Sequence, residues 1–302
     1  MSNYIKKDGL LTIAITSYNY AHYIGDAVKS VVTQTSANWR LVVYDNGSTD
    51  NTLEILEPYL EDSRVTLVVH PENIGAKRNH EYAQRHTKTE FFSILQADDF
   101  LEETYVEKAL EYFQRFSEAP FVFFNWHQYK DDTKERLFHN RFPFSIERAG
   151  QVRIAPYLTI CNFVPFHMVS FRTKCLLKYC DMMMAAPLNQ VGEQFLLKLL
   201  EDEYGFGCYS GTLGGVWRRH GDQLTTVQTA SATALIEEPL ERHWYATMAP
   251  NPDRVNVFMA LLNFVILCSH VNYFTAVKWL MTGEGRRYTE SFNISLKETE
   301  KK

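Results

Sequence analysis

The sequence lacks the features that mark several special classes of protein. Its 302 residues carry a formal net charge of −5 with no basic cluster, which disfavours a nucleic-acid partner. The five cysteines form no CxxC pair, and no metal-binding spacing joins them to a histidine. We therefore expect reduced, buried thiols and a cytoplasmic protein. The polar start Met1–Asp8 also lacks the apolar centre of a signal peptide.

No uninterrupted apolar run is long enough to be an obvious membrane span, although one segment comes close. Lys278 is the only charged residue between positions 255 and 281, and residues 257–268 are nearly all apolar. A span needs about twenty apolar residues, and Asn263 and His270 interrupt this one. We favour a buried helix. The alternative is contact with a second copy of the chain or with the inner face of the cell membrane, and a true crossing is the least favoured.

The first half of the chain alternates strand and helix patterns. Near-continuous apolar strands between amphipathic helices are typical of a mostly parallel, Rossmann-like α/β sheet with helices on both faces. The predicted strands are Leu10–Thr16, Leu41–Tyr44, Val65–Val69 and Phe91–Asp98, and one of the predicted helices is Ala76–His86.

The second half is less regular. An aromatic strand is predicted at Phe121–Tyr129 and a helix at Gln190–Tyr204, with irregular strand and turn signals between them. Residues Tyr209–His220 form a glycine-rich segment without a clear periodicity, and the chain from about position 231 is predicted to be helical.

Polar residues follow three of the predicted strands. Asp98 and Asp99 end a buried strand, Asp45 ends another before a tight Asn-Gly-Ser turn, and Thr16 ends the first. In parallel sheets, ligands bind at the carboxyl ends of the strands. Adjacent carboxylates suit a hard divalent cation that bridges to nucleotide phosphates, and a carboxylate at position 45 can accept the imide N–H of uracil. Turn chemistry alone would explain Asn46-Gly47-Ser48, but not the acid before it.

The order and spacing of four segments resemble the nucleotide-binding half of family 2 inverting glycosyltransferases with the GT-A fold. These segments are Thr16–Asn19, Asp45–Asp50, Asn73–Asn79 and Gln96–Asp99. The resemblance implies a nucleotide-sugar-binding half at 1–120, an acceptor-binding and catalytic half at 121–228, and a helical region at 229–302.

The resemblance also implies roles for individual residues. The implied nucleotide-binding set is Thr16, Tyr18, Asp45, Arg78 and Asp98. Within it, the Tyr18 ring lies against the base, Asp45 reads the uracil edge and Asp98 lies by the ribose. Asp99 would hold Mn²⁺ or Mg²⁺, with Asp98 and His220 as further ligands. Family members often carry an acid where this chain has Gln96, so Asp99 would take more of the metal binding.

The second half is expected to supply the general base and the diphosphate contacts. Glu193 lies at the predicted start of a helix, where the family has its base; the alternative is an ordinary first-turn acid. Glu201, Asp202 and Glu203 are interpreted as the solvated end of that helix. Arg218 and Arg219 resemble the basic segment that binds the diphosphate.

The predicted function is metal-dependent, inverting transfer of a sugar from a nucleotide donor, a UDP-sugar, to a hydroxyl of a bacterial saccharide or glycolipid. Two alternatives stay open. A sugar-phosphate nucleotidyltransferase would be expected to have a glycine-rich basic loop after the first strand, where this chain has Tyr18–His22. A non-catalytic nucleotide-binding scaffold would fit the missing acid at 96.

Overall fold

The computed structural model describes residues 11–139, 149–154, 164–185 and 192–220. The apolar segment 255–281, the predicted helical region from 229 onward, and two of the five cysteines lie outside these residues. No helix of the described part is both long enough and apolar enough to cross a membrane.

Ten strands of the described part of the chain form one mixed sheet. Their bounds are β1 Leu11–Ser17, β2 Trp39–Asp45, β3 Val65–Val69, β4 Phe91–Gln96, β5 Phe100–Leu101, β6 Phe121–Lys130, β7 Glu135–His139, β8 Gly150–Val152, β9 Val169–Arg172 and β10 Gly207–Arg219. The four strands predicted from the first half are confirmed to within a few residues. All seven residues of β1 are buried, as expected for a central strand covered on both faces.

The sheet is parallel in its first half and mixed in its second. Strands β3, β2, β1 and β4 lie side by side and parallel. Strand β9 then runs antiparallel to both β4 and β6, while β10 pairs with β6 in parallel. The prediction of a mostly parallel sheet therefore holds for the half that resembles the family most closely.

The glycine-rich segment, to which the sequence pattern assigned neither helix nor strand, lies in a strand of thirteen residues, β10. It lies against the aromatic strand β6, whose side chains occupy the space beside it. A methyl group at Gly214 would lie 2.5 Å from Cβ of Phe124, and one at Gly207 would overlap the ring of Phe121. The glycines are therefore a packing requirement of this strand pair rather than a sign of irregular chain.

The described part of the chain contains seven α-helices. They are α1 Ala21–Val32, α2 Thr52–Leu56, α3 Ala76–His86, α4 Tyr105–Arg115, α5 Thr173–Lys178, α6 Cys180–Ala185 and α7 Gly192–Tyr204. Helix α1 buries Ile24, Ala27, Val28 and Val31, which recur at the spacing of one helix face. Cys175, Cys180 and Cys208 are buried thiols, as the sequence predicted.

The described residues divide into two compact units. The first contains the whole sheet with helices α1 to α5 and most of α6, and the second contains helix α7 except for Tyr204, the last residue of that helix. The boundaries predicted at 120 and 228 stay predictions. Strands from both sides of position 120 share the one sheet.

Candidate active site

The carboxyl ends of β1, β2 and β4 lie next to one another, as predicted. Strand β1 is central, with Ser17 opposite Asp45 on one side and Thr16 opposite Gln96 on the other. Thr16 and Asp45 are both buried, and Asp45 is fully so. The chain leaves all three strands at the same edge, which brings the predicted nucleotide-binding residues of three loops together.

The turn after β2 is built around the carboxylate of Asp45. Ser48 donates its backbone N–H to one oxygen at 2.9 Å and its hydroxyl to the other at 2.5 Å. Gly47 has φ of +75°, and a methyl group there would lie 2.9 Å from the carbonyl carbon of Glu72. Ser48 and Thr49 resemble helix-capping residues in the sequence, but α2 begins only at Thr52, and Ser48 serves the turn.

The loops after β1 and β2 are hydrogen-bonded to each other. The backbone N–H of Asn19 donates to the Ser48 hydroxyl, and the Asn19 side-chain oxygen accepts the N–H of Thr49 at 2.8 Å. Asp50 accepts the N–H of Ala21, the first residue of α1, at 3.0 Å. Asn19 takes a left-handed φ of 57°, which asparagine tolerates better than most residues. The two loops are thereby held as a single rigid unit.

The loop before α3 is joined to the same assembly through amide side chains. Asn46 donates to the side chain of Asn73 at 2.9 Å and accepts the backbone N–H of Ile74 at 2.9 Å. The Asn79 side chain donates to the Tyr44 carbonyl at 3.0 Å and contacts the His70 ring at 3.1 Å. These contacts set the position of α3 against the strand ends.

Two of the predicted nucleotide contacts are exposed. Tyr18, just beyond β1, is 39% exposed, an unusual position for a large aromatic side chain. Arg78, in the first turn of α3, is also exposed and makes no hydrogen bond or ion pair within the described residues. Both side chains are therefore accessible to a ligand.

Asp98 and Asp99 differ sharply in their surroundings. Asp98 retains some exposure, and its carboxylate lies 3.1 Å from Nε2 of His220. Asp99 is buried; one of its oxygens accepts the backbone N–H of Arg218 at 2.8 Å, and the other lies 3.5 Å from Nδ1 of His167. Burial first, and then the charge of Asp98, raise the pKa of Asp99 well above its ordinary value.

Arg218 is buried and holds several elements together. Its guanidinium donates to the Asp98 carbonyl at 2.8 Å, to Asp26 of α1 at 2.6 Å and to Asp131 at 3.1 Å, and it lies over the Tyr23 ring. Asp26 and Asp131 carried no signal in the sequence, because nothing there indicates that α1 and the β6–β7 turn meet the end of β10.

Arg219 lies on the opposite face of β10 from Arg218. It is half-buried, and its guanidinium carbon lies 4.9 Å from the centre of the Trp217 ring. Trp217 in turn packs edge to face against Trp126, with the two ring centres 5.4 Å apart. Trp126 and Asn125 belong to the aromatic strand β6, which was predicted first of all as a core strand. Asn125 itself is buried and accepts the Tyr209 hydroxyl at 2.8 Å.

Two histidines near the acidic pair have a buried ring nitrogen with no hydrogen-bond partner among the described residues. These are Nδ1 of His220 and Nε2 of His167. Burial lowers the pKa of His167 to about 3. The His167 contact was missed from the sequence, because Asp99 and His167 are 68 positions apart and share no motif.

Gln96, where relatives often have an acid, is paired with a side chain of α3. It hydrogen-bonds to His80, and burial lowers the pKa of that histidine to about 4 despite the hydrogen bond. A neutral amide therefore meets a neutral imidazole at this position.

Helix α7 begins at Gly192, so Glu193 lies in its first turn, as the sequence predicted. The interpretation of its acidic end as solvated is wrong for Glu201 and holds for Glu203, which is exposed. Glu201 is fully buried and accepts the backbone N–H of Ile154 at 2.7 Å, while the half-buried Asp202 pairs with the buried Lys198 at 2.5 Å. A buried carboxylate such as that of Glu201 is tolerated because it has a hydrogen-bond partner.

The residues around Asp98 have the donor chemistry that Mn²⁺ or Mg²⁺ requires. Within the part of the chain that the structure describes, no three acidic, histidine or cysteine side chains converge to hold a metal alone. Such cations commonly take one or two protein ligands and complete their shell with phosphate and water. The Asp98 carboxylate and the His220 imidazole fit that mode of binding, since they supply two protein ligands.

Comparison with known proteins identifies counterparts of these segments. The chain is 38% identical over 93 residues, 30% of its length and 36% of the relative's, to the UDP-Glc:alpha-D-GlcNAc-diphosphoundecaprenol beta-1,3-glucosyltransferase WfgD of Escherichia coli. It spans less than half the length of the curated relatives it matches.

Two solved structures share the fold at low sequence identity. The S. aureus TarS 1-349 complex with UDP-GlcNAc superposes with a TM-score of 0.64 at 15% identity, over 94% of this chain and 80% of that one. The mannosyltransferase PcManGT of Pyrobaculum calidifontis, in complex with GDP-Man and Mn²⁺, superposes with a TM-score of 0.55 at 13% identity. The match covers 96% of this chain and 86% of that one. The fold is therefore of the GT-A type.

The family assignment follows from sequence as well as fold. The model of the family described as Glycosyl transferase family 2 matches residues 12–177, more than half of the chain, and this region carries every strand-end motif described above. The chain belongs to glycosyl transferase family 2.

Proposed function

We propose that the protein is a metal-dependent, inverting glycosyltransferase that moves a sugar from a UDP-sugar to a hydroxyl acceptor of a bacterial surface polysaccharide or glycolipid. The observation that carries this proposal is the contact between Asp98 and His220, 3.1 Å apart beside the rigid loops that follow β1 and β2. The likeness to proteins named for UDP-Glc and UDP-GlcNAc supports the choice of donor.

The nucleoside would bind across the ends of β1 and β2. Tyr18 is exposed and can lie flat on the uracil ring, while Thr16 and Asp45 line the edge of the sheet behind it. Asp45 is fully buried and both of its oxygens already accept from Ser48, so only a remaining lone pair of this oriented carboxylate would be left for the uracil imide N–H. Arg78, with no partner among the described residues, is available to the base and diphosphate.

The cation would be held by Asp98 and His220 rather than chiefly by Asp99. Both oxygens of Asp99 already face protein groups, and its side chain is buried. Asp98 is slightly more exposed than Asp99, and its partner His220 has a second ring nitrogen with no hydrogen-bond partner within the described residues. The bound cation would neutralise the charge that develops on the departing diphosphate.

Arg219 is the better candidate for the diphosphate contact. The predicted alternative, Arg218, has an oxygen partner at each of its three guanidinium nitrogens and is buried. Its part would be to hold Asp98 in position through the carbonyl of that residue. Glu193, at the start of α7, would accept the proton from the acceptor hydroxyl as the sugar carbon is attacked from the opposite face.

The test is a panel of nucleotide-sugars, scored for thermal stabilisation and for hydrolysis with and without Mn²⁺. A UDP-sugar should raise the melting temperature only when Mn²⁺ or Mg²⁺ is present, because the cation links the diphosphate to Asp98. Asp98→Asn should remove this stabilisation.

The matched control is Asp132→Asn, at an exposed turn position that contacts only the neighbouring backbone N–H of Thr133 in the described structure. It should behave as the wild type does. Stabilisation by UDP-sugars that is equally large without a divalent cation would refute the proposed metal dependence.

A further inference from the structure

His167 occupies a buried position directly behind the acidic pair. It lies in a short 3₁₀ turn, Phe166–Met168, that leads into β9, and all three residues of the turn are buried. Its Nδ1 is 3.5 Å from the Asp99 oxygen that does not accept the Arg218 N–H. Asp99 is thus held from two sides, by a backbone donor of β10 and by an imidazole.

A histidine is a costly choice for this position. Its Nε2 is buried and has no hydrogen-bond partner among the described residues, so the desolvation of that nitrogen is not offset. The neighbouring Phe166 and Met168 show that the turn accepts apolar side chains. Such a local cost is tolerated where function requires it, so the requirement is expected at the other ring nitrogen.

The surroundings indicate which nitrogen carries the proton. A buried N–H donor without a partner is rarer in folded proteins than an acceptor without one. The proton of the neutral ring therefore belongs on Nδ1, where it points at the Asp99 carboxylate, and Nε2 is the unpaired acceptor. In this tautomer the Nδ1–H of His167 points at Asp99 at 3.5 Å, which is longer than an ordinary hydrogen bond.

Asp99 connects His167 to the end of β10. It accepts the backbone N–H of Arg218, and Arg218 donates back to the carbonyl of Asp98. His220, two residues beyond Arg218, faces the Asp98 carboxylate. A shift of the Asp99 side chain would move both halves of the Asp98–His220 pair.

We propose that His167 is a positioning residue, which acts through Asp99 to hold Asp98 and His220 at the separation that a divalent cation needs. This inference rests on the proposed function and deepens it. Outer partners of this kind orient metal-binding side chains, and their loss typically costs 10–100-fold in metal affinity.

Three substitutions separate the two ring nitrogens. His167→Asn places an amide N–H near the position of Nδ1, His167→Gln places one near Nε2, and His167→Leu fills the space with neither. The measurement is Mn²⁺ affinity in the presence of UDP, followed by the electron paramagnetic resonance signal of free Mn²⁺. The control is His86→Asn, at the exposed end of α3.

The leucine and glutamine variants should bind Mn²⁺ about 10–100-fold more weakly than the wild type. The asparagine variant should stay within about threefold, because it restores the donor to Asp99, and the control should be unchanged. Unaltered Mn²⁺ affinity in His167→Leu, or an asparagine variant as weak as the leucine one, would overturn the proposal.

Thermal unfolding without Mn²⁺ separates positioning from a purely structural role. Because leucine removes an unsatisfied nitrogen, His167→Leu should melt at or above the wild-type temperature while still losing Mn²⁺ affinity. Loss of affinity that only parallels a lower melting temperature would contradict the inference. A wild-type protein that binds no Mn²⁺ with UDP would refute the proposed function itself, whereas normal wild-type binding with unaffected variants would refute only the role of His167.

Discussion

Single residues at the sheet edge show how strongly the environment separates similar side chains. Asp98 and Asp99 are adjacent in sequence, yet Asp98 keeps a small exposed fraction and faces a histidine, whereas Asp99 is almost fully buried and accepts a backbone N–H. Their different roles in our proposal follow from this difference in burial. A pair of acids in a motif therefore does not imply a pair of metal ligands.

At the residue scale, His80 should make the folded protein sensitive to mild acid. Burial lowers its pKa to about 4, whereas the unfolded chain has the ordinary value near 6.5. The unfolded state binds the proton first, so stability is full above about pH 6.5 and falls as the pH drops towards 4. The loss should be on the order of 2 kcal/mol.

The measurement is chemical denaturation of the wild type and of His80→Gln at several pH values between 7 and 4. The unfolding free energy of the wild type should fall relative to that of the variant as the pH drops, because glutamine binds no proton at this site. A difference that stays constant across this range would contradict the prediction.

At the scale of local elements, two turns use glycine for different reasons. Gly47 and Gly75 both have positive φ, of 75° and 89°. A methyl group at Gly75 would meet nothing within 4 Å, whereas one at Gly47 would press on the backbone of Glu72 and Asn73. Gly75→Ala should therefore cost only the backbone strain, about 1 kcal/mol.

Gly47→Ala should cost clearly more than Gly75→Ala, because it adds a backbone collision to the same strain. It should also weaken UDP binding, since the turn orients Asp45. Urea denaturation and UDP titration of the two alanine variants provide the comparison. Equal losses of stability in both would show that the contact with Glu72 relaxes without cost.

The first turn of α7 carries the prediction for the general base. Glu193→Gln should retain Mn²⁺-dependent UDP binding and lose about 10²–10⁴-fold in transfer, because glutamine cannot accept the acceptor proton. The control is Glu203→Gln, an exposed acid of the same helix. Transfer is followed by release of UDP, and a normal rate in Glu193→Gln would place the base elsewhere.

At the scale of the whole molecule, the sheet changes from parallel to mixed where β9 joins β4. A buried hydroxyl cluster marks this seam: the Ser93 and Ser170 oxygens are 2.7 Å apart, and the Tyr105 hydroxyl lies 3.2 and 3.0 Å from them. It joins β4 and α4, which are near in sequence, to the distant strand β9.

Tyr105→Phe should lower the free energy of unfolding by about 1 kcal/mol. The hydrogen bond between the two serines remains, but both lose their hydrogen bond to the tyrosine hydroxyl. Tyr59→Phe is the matched control, since the Tyr59 hydroxyl makes only a long contact of 3.4 Å to the Gly25 carbonyl. Thermal and urea unfolding test both. A larger loss in the Tyr59 variant would show that the seam contributes little to stability.

The sequence by itself determined the parallel half of the sheet and the residues at its strand ends. Apolar periodicity and turn residues are local signals, and parallel strands bring their carboxyl ends to one edge. Thr16, Asp45 and Asp98 can therefore be grouped from the order of the residues alone. The family resemblance added the expected roles of these residues.

Only the tertiary structure decided which polar groups are satisfied and which are left to a ligand. The glycines of strand β10 gave no strand signal in the sequence, and their purpose becomes visible only where they pack against the aromatic side chains of β6, a distant segment. The burial of Asp99 and Glu201, the contacts of Arg218 and the position of His167 likewise depend on partners far away in the chain. A partner that is remote in sequence leaves no periodic signal, and burial, which sets the energy of a charge, exists only once the chain has folded.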